Sequence, residues 1–180
     1  MCQSINEGLK RESIAQFFKT EYNGFKYFLN DQNHPEKNIV SVIPELTYEA
    51  ERAEGNPRID LVIFINGFPL ITIELKKTDS GATFTYSGKE YQPNYKAAIA
   101  QYRYDRNQNN LLFSNRVMAN FAMDEYEVYK NDKLEGELSK FLPFNKDYKK
   151  PNSDFFYKEF LTKENIINLI DNYYYQTKDK

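Results

Sequence analysis

The sequence has very few of the residues that build disulfide, zinc or histidine-based sites. It contains a single cysteine, Cys2, and a single histidine, His34, among 180 residues. One cysteine excludes an internal disulfide framework and a cysteine-rich zinc site. One histidine excludes a histidine-based metal cluster and leaves little for a Ser-His-Asp triad. We interpret His34, which precedes Pro35, as a residue of a surface loop.

The chain also lacks an excess of either charge and any long apolar run. Its 24 basic and 26 acidic residues do not form the basic surface with which a stand-alone protein grips nucleic acid, although a small DNA-contacting site is not excluded. The sequence shows neither the apolar core of a signal peptide nor eighteen consecutive apolar residues, so we expect a soluble, cytoplasmic protein. With 15 tyrosines and 14 phenylalanines, its 180 residues suffice for one globular domain with a core.

The hydrophobic pattern predicts an α/β protein with a mixed β-sheet flanked by helices. Polar residues 77–90 predict a mobile loop, and a proline at position 44 places its strand at an edge or a bulge. We place a domain over residues 1–150 and a helical connecting segment over residues 151–180. The predicted elements are helices over about 12–22, 92–106 and 155–175, and strands over about 38–49, 59–65, 70–75, 111–113, 117–123 and 126–129.

The most informative stretch is residues 58–76, which read RIDLVIFINGFPLITIELK. Two apolar, β-branched runs flank Asn66-Gly67, a strong short-range signal for a β-hairpin. Three charged residues interrupt these runs: Asp60 on the first strand, and Glu74 and Lys76 on the second. Because charges are costly to bury unless they are paired, hydrogen-bonded or bound to a metal, their presence calls for an explanation.

The register of this hairpin decides whether the three charges converge. A tight two-residue loop at Asn66-Gly67 would leave Asp60 and Glu74 on opposite faces. A three-residue loop with a bulge, or a bulge near Asp60, would set Asp60 opposite Glu74. Pro69 cannot donate a ladder hydrogen bond and favours the longer turn. We therefore predict that Asp60, Glu74 and Lys76 share one face.

Such a group of side chains suits metal-assisted phosphodiester chemistry. Two neighbouring carboxylates, Asp60 and Glu74, would hold Mg²⁺, which prefers oxygen ligands and retains several waters. The ion would polarise a phosphoryl oxygen and lower the pKa of a bound water. The Lys76 ammonium would orient that water or neutralise charge on the scissile phosphate. The alternative is an ordinary ion-paired strand end.

The hairpin, followed by AIAQYRYDR and LLFSNRVMANFA, resembles the amino-terminal domain of the restriction (R) subunit of type I restriction-modification enzymes. The resemblance spans about residues 38–129 and implies the PD-(D/E)xK nuclease fold. It implies that Asp60 and Glu74 are the metal-binding acids and that Lys76 is the catalytic lysine. Ile59 stands where the motif name has a proline, a position that is lax in the family.

The same family carries a Gln-x3-Tyr motif on the helix after the catalytic strand. Here Gln101 matches the glutamine, but Asp105 stands where the tyrosine is expected. Tyr104, one helical turn from Gln101, is the candidate that can share its face, with Tyr102 as the other nearby tyrosine. For Gln101 and Tyr104 the alternative is helix packing and solvation. Basic residues on this helix could meet phosphates, although a solvated face is the simpler interpretation; they are Lys96, Arg103 and Arg106.

The resemblance also implies the setting. The function it implies is a Mg²⁺-dependent endonuclease that cuts double-stranded DNA after ATP-driven translocation by a helicase-like motor of the same subunit, with methyltransferase and specificity subunits as partners. Residues 87–90 (SGKE) are not a P-loop, because the required preceding glycine and following hydroxyl are missing, so ATP would be used by the motor. No motor motif follows, which favours a fragment. The alternatives are a non-catalytic docking module and a nuclease of the same fold from a repair or mobile-element system.

Overall fold

The structure of the protein is a computed structural model that describes residues 34–49 and 57–170. Residues 39–166 form one compact unit. Residues 1–38 and 167–180 form a second unit, whose described part includes a 3-10 turn at Pro35–Lys37. His34 is exposed outside any helix or strand, which confirms its interpretation as a loop residue. The helix predicted over residues 12–22 lies outside the described residues.

A mixed six-stranded sheet forms the centre of the unit 39–166. Its strands are β1 (Val40–Thr47), β2 (Arg58–Ile65), β3 (Phe68–Leu75), β6 (Ala119–Met123), β7 (Val128–Asn131) and β8 (Leu142–Pro143), and the helices of the chain are α1 (Tyr95–Tyr104) and α2 (Lys163–Asn168).

The spatial order of the strands is β1-β2-β3-β6-β7-β8, and neighbouring strands are antiparallel except for β3 and β6, which are parallel. A parallel pair needs a crossover connection, and this one contains helix α1, which packs against both strands. The α/β fold with a mixed sheet is therefore confirmed, and the fold is restriction-endonuclease-like.

Strand β1 lies at the edge of the sheet, which confirms the position predicted from Pro44. Pro44 pairs with Leu61 and Leu46 pairs with Ile59, so the ladder passes over Glu45. Glu45 has a φ of +51°, an unusual backbone conformation for a residue with a side chain. The strand therefore continues past the proline through a local irregularity, which an edge strand tolerates.

The segment between β3 and α1 is more ordered than its polar sequence predicts. It contains a two-stranded hairpin, β4 (Phe84–Tyr86) and β5 (Lys89–Tyr91). The turn uses Ser87 and Gly88, both with positive φ (51° and 73°), as in a type I′ turn. The prediction of a loop over residues 77–90 is therefore wrong for residues 84–90, which belong to this hairpin. Alternating aromatic residues in this segment were the signal for strands.

Two other predicted elements differ in the structure. The strand expected at residues 111–113 is wrong, because Leu112–Arg116 forms a π-helical turn. The Asn110 side chain accepts a hydrogen bond from the Leu112 N–H and starts this turn, and periodicity cannot separate helix from strand in so short an apolar run. The continuous helix over residues 155–175 is also wrong: a π-helical turn at Phe156–Phe160 precedes α2, and residues 171–175 lie outside the described part.

Apolar side chains cover both faces of the sheet. One group packs between β2, α1 and the π-helical turn that follows α1; it consists of Ile59, Val62, Ala98, Tyr102, Leu112, Phe113, Ala122 and Leu134. A second group is aromatic, with ring contacts that join Phe121, Phe144, Phe156 and Phe160. No helix within residues 34–49 and 57–170 is long and apolar enough to cross a membrane.

Candidate active site

The turn between β2 and β3 is the tight two-residue loop. Ile65 pairs with Phe68, and the two residues between them, Asn66 and Gly67, have φ angles of +48° and +83°. These angles belong to a type I′ turn, whose twist matches that of the two strands. The predicted three-residue loop is therefore wrong. The proline at position 69 does not loosen the turn, and the irregularity in the pairing lies one residue further along β3.

A bulge in β3 shifts the pairing with β2 by one residue and so aligns the two acids, which the tight turn alone would leave on opposite faces. The pairing passes over Leu70, which follows the proline, so the register shifts by one residue there. Beyond the bulge Leu61 pairs with Ile73, and the next step of the same register sets Asp60 opposite Glu74. The two acids therefore lie on the same face of the sheet, as predicted, although the bulge and not the turn is the cause.

The face of β3 that carries Glu74 packs against helix α1. Thr72, two residues earlier on the same face, has its hydroxyl 2.9 Å from the Tyr102 hydroxyl of α1. Thr72 also donates a hydrogen bond of 2.7 Å to the Asn120 side chain on β6. All three of these side chains are buried. This polar network fixes the distance between the helix and the sheet, and Glu74 lies next to it.

Glu74 is fully buried and is held by a buried arginine. Both Nε and Nη2 of Arg106 lie 2.6 Å from Glu74 Oε1. The guanidinium is fixed by two further contacts, a hydrogen bond of 2.8 Å to the Arg58 carbonyl and an ion pair of 2.7 Å with Asp105. The other carboxylate oxygen, Glu74 Oε2, is buried and has no hydrogen-bond partner among the described residues.

Burial dominates the protonation of Glu74. The loss of hydration raises the pKa of this carboxyl to about 8, and the neighbouring Asp60 carboxylate raises it as well. Arg106 and Lys76 act in the opposite direction but do not offset the burial. Because Asp60 and Lys76 both influence Glu74 electrostatically, the three predicted residues lie in one cluster. The structure thus brings together two acids, one lysine and one arginine.

The other two members of the cluster are fixed by hydrogen bonds of their own. Asp60 Oδ2 accepts a hydrogen bond of 2.7 Å from the backbone N–H of Leu75. Lys76 Nζ donates a hydrogen bond of 2.5 Å to Gln101 Oε1 on helix α1. Gln101 therefore meets the predicted lysine directly. The pairing joins the catalytic strand of the predicted motif to the helix that follows it.

Tyr104 is directed elsewhere. Its hydroxyl donates a hydrogen bond of 3.1 Å to Glu137 Oε1 at an exposed position. The buried tyrosine on the side of the cluster is Tyr102, through its contact with Thr72. The role predicted for Tyr104 in a Gln-Tyr pair stays a prediction, and the contacts of its hydroxyl give it no support.

Arg106 is the residue of the cluster that sequence reasoning missed. We expected a solvated helix face for Lys96, Arg103 and Arg106, and for Arg106 this is wrong, because only 6% of the residue is exposed. It lies just beyond the end of α1, where its backbone N–H donates to the Gln101 carbonyl. The available signal was the need of Glu74, in an apolar strand, for a buried partner.

The cluster has the donor set for a hard divalent cation. Within the described residues, no group of three or more histidine, cysteine or acidic side chains could enclose a metal ion. Mg²⁺, however, is usually held by one or two carboxylates together with water and substrate phosphates. Asp60 and the unpartnered Oε2 of Glu74 meet that requirement. The residues present therefore fit such an ion.

Comparison with known proteins identifies the family. Searches of curated proteins and of solved structures returned no match. The sequence model of the family described as "Type I restriction enzyme R protein N terminus" matches residues 2–138, which is most of the chain and includes every residue of the cluster. The chain therefore belongs to the family of type I restriction enzyme R protein N termini.

Proposed function

We propose that this chain is a Mg²⁺-dependent endonuclease domain, of the PD-(D/E)xK type, which hydrolyses DNA phosphodiesters as part of a type I restriction enzyme. The observation that carries the proposal is the convergence of Asp60, Glu74 and Lys76. The two acids come from opposite strands of one hairpin, and a bulge sets them face to face. The family assignment supports a restriction-modification setting.

Each residue of the cluster has its own role in the proposed reaction. Asp60 and Glu74 would hold the metal ion, with Glu74 contributing its free oxygen, Oε2. When bound, such an ion polarises the phosphoryl oxygen and activates a water molecule. Lys76 carries a positive charge beside the acids and stabilises negative charge that develops on the scissile phosphate. Gln101 keeps the ammonium in place through its hydrogen bond of 2.5 Å.

The proposed setting explains why the chain has almost no net charge. Tight DNA binding depends on many basic contacts to phosphates, and 24 basic against 26 acidic residues do not supply them. In the proposed enzyme, a helicase-like motor of the same subunit holds and translocates double-stranded DNA in the cytoplasm at the expense of ATP. Methyltransferase and specificity subunits select the site. This chain then supplies the groups that cleave DNA and contributes little to the affinity for DNA.

Replacing Lys76 by alanine in the assembled restriction enzyme tests the proposal. We expect K76A to abolish DNA cleavage while ATP hydrolysis continues, because only the charge beside the two acids is removed. Lys77→Ala is the matched control, since it removes the neighbouring, exposed lysine and should cut DNA like the wild type. Wild-type cleavage by K76A would refute the proposed function.

One observation favours a second candidate, a non-catalytic docking module. The Arg106–Glu74 ion pair is buried, and a buried acid can serve structure alone. In that case the cluster would stabilise the fold, and the nuclease would reside elsewhere in the enzyme. The K76A experiment separates the two candidates, because a docking module would not need the half-buried Lys76 for cleavage.

A further inference from the structure

The β4–β5 hairpin carries an aromatic side chain to the lysine of the candidate active site. The Lys76 ammonium lies 4.8 Å from the centroid of the Phe84 ring. This distance is within the range of cation–π attraction, in which the electron-rich face of the ring stabilises a positive charge. The ammonium thus lies between the Phe84 ring and the Gln101 side chain.

Neither of these two partners carries a charge. Among the described residues no carboxylate forms an ion pair with Lys76, although Glu74 is close enough to interact with it electrostatically. A lysine side chain has four flexible carbon–carbon bonds and loses considerable entropy when it is fixed in one place. A neutral hydrogen bond and an aromatic face fix it without neutralising its charge. The charge is therefore still available to a phosphate group.

The hairpin itself is built to hold Phe84 in position. Phe84 stacks on Tyr86 with their ring planes 1° apart, and Tyr86 contacts Tyr91 on the second strand. The strands pair through Phe84 and Tyr91, and the turn between them uses Gly88 at a φ of +73°. The hairpin also packs against helix α1, which carries Gln101. Both neutral partners of Lys76 therefore belong to parts of the structure that contact each other.

We propose that Phe84 is a positioning residue, which holds the Lys76 ammonium at the catalytic cluster by a cation–π contact and leaves its charge free for the scissile phosphate. This inference rests on the nuclease function proposed above. It adds the β4–β5 hairpin to the active site and assigns it a role in the cleavage step, and Phe84 itself touches no reacting atom.

The test compares Phe84→Leu with Phe84→Tyr in the assembled restriction enzyme. Leucine keeps an apolar side chain but removes the aromatic face, whereas tyrosine keeps the face. We expect F84L to slow the cleavage step by roughly three- to thirtyfold, the range that a cation–π contact supports, with unchanged DNA affinity and ATP hydrolysis. F84Y should cut at close to the wild-type rate. Thr85→Ala, at an exposed position of the same strand, is the matched control and should cut DNA like the wild type.

A second measurement does not depend on cleavage. An ammonium and its ε-methylene group above an aromatic ring experience ring-current shielding. In the NMR spectrum of the wild-type chain, the Lys76 ε-protons, assigned with K76A, should therefore be shifted upfield from those of the exposed Lys77. Their upfield shift should disappear in F84L and persist in F84Y.

The outcomes separate the failure of this inference from the failure of the proposed function. If K76A abolishes cleavage while F84L cuts like the wild type, the cluster is catalytic and Phe84 does not position it. Unshifted Lys76 ε-protons in the wild type would overturn the inference as well. If K76A itself cuts normally, the nuclease assignment fails, and with it the reason for positioning this lysine.

Discussion

Replacing Glu74 by glutamine tests the electrostatic account of the cluster, because the amide keeps the size of the side chain and loses its charge. The folded-state pKa of Glu74 is about 8, raised from an ordinary value of 4.5 mainly by burial. Between these two pH values the folded protein holds a proton that the unfolded chain releases. Its contribution to stability is therefore fully present below about pH 4.5 and is lost as the pH rises through 8.

The size of this effect follows from the same two values. At 1.36 kcal/mol for each pH unit, the interval from 4.5 to about 8 corresponds to a loss of about 5 kcal/mol, as an order of magnitude. The E74Q variant has no such group, so the wild type should lose stability relative to E74Q as the pH rises. Urea denaturation of both proteins in chelator-containing buffer, at about pH 5, 7 and 9, measures the difference in their free energies of unfolding.

Two results would refute the reasoning. A difference between wild type and E74Q that stays constant over this range would mean that burial does not control the Glu74 proton. A difference that changes in favour of the wild type as the pH rises from about 3 to 4.5, in an added measurement at about pH 3, would mean that Arg106, at 2.6 Å, outweighs burial and keeps the carboxyl ionised. Titrating groups far from Glu74 are common to both proteins and cancel in the comparison, whereas the interactions of Glu74 with Asp60 and Lys76 are part of the measured difference.

Two further predictions concern the turn and the tyrosine. Gly67→Ala should lower the free energy of unfolding in urea by about 1 to 2 kcal/mol, because Gly67 has a φ of +83°, which L-residues with a side chain rarely adopt. No atom lies within 4 Å of the added methyl group, so the loss would come from the backbone alone, and Gly67→Asn should cost less. Equal stability of G67A and wild type would contradict the type I′ turn. Tyr104→Phe should leave the cleavage rate of the assembled enzyme unchanged, because the Tyr104 hydroxyl contacts Glu137. Gln101→Ala should lower the cleavage rate, because Gln101 accepts the hydrogen bond of Lys76. A large loss of cleavage in Y104F would instead place Tyr104 in the active site.

The sequence predicts the sheet and its most important hairpin because their signals are local. Asn66-Gly67 between two β-branched runs specifies a hairpin, and Pro44 specifies an edge strand. The segments that were misassigned have weak or mixed local signals. The turn at Leu112–Arg116 is too short for periodicity to distinguish helix from strand, and an asparagine side chain decides it.

The candidate site was predictable in its acids and its lysine, but not in the contacts that hold them. Charges in an apolar strand can be recognised from the sequence, because each demands a partner. The identity of that partner depends on tertiary structure: Arg106 comes from beyond the end of α1, and Phe84 from a hairpin inserted after β3. The bulge at Leu70, which decides the register of Asp60 and Glu74, is likewise visible only in the pairing of β2 with β3.

The geometry of the Arg106–Glu74 pair is itself an argument about function. A guanidinium and a carboxylate frequently form two parallel hydrogen bonds, one to each carboxylate oxygen. Here both guanidinium nitrogens converge on Oε1, and Oε2 is buried without a donor from any described residue. Oε2 therefore forms no hydrogen bond with a described residue, whether the carboxyl is protonated or ionised. A cation held between Oε2 and Asp60, in place of the proton that burial otherwise retains on Glu74, would supply the missing partner, which is why we propose a metal-dependent nuclease ahead of a docking module.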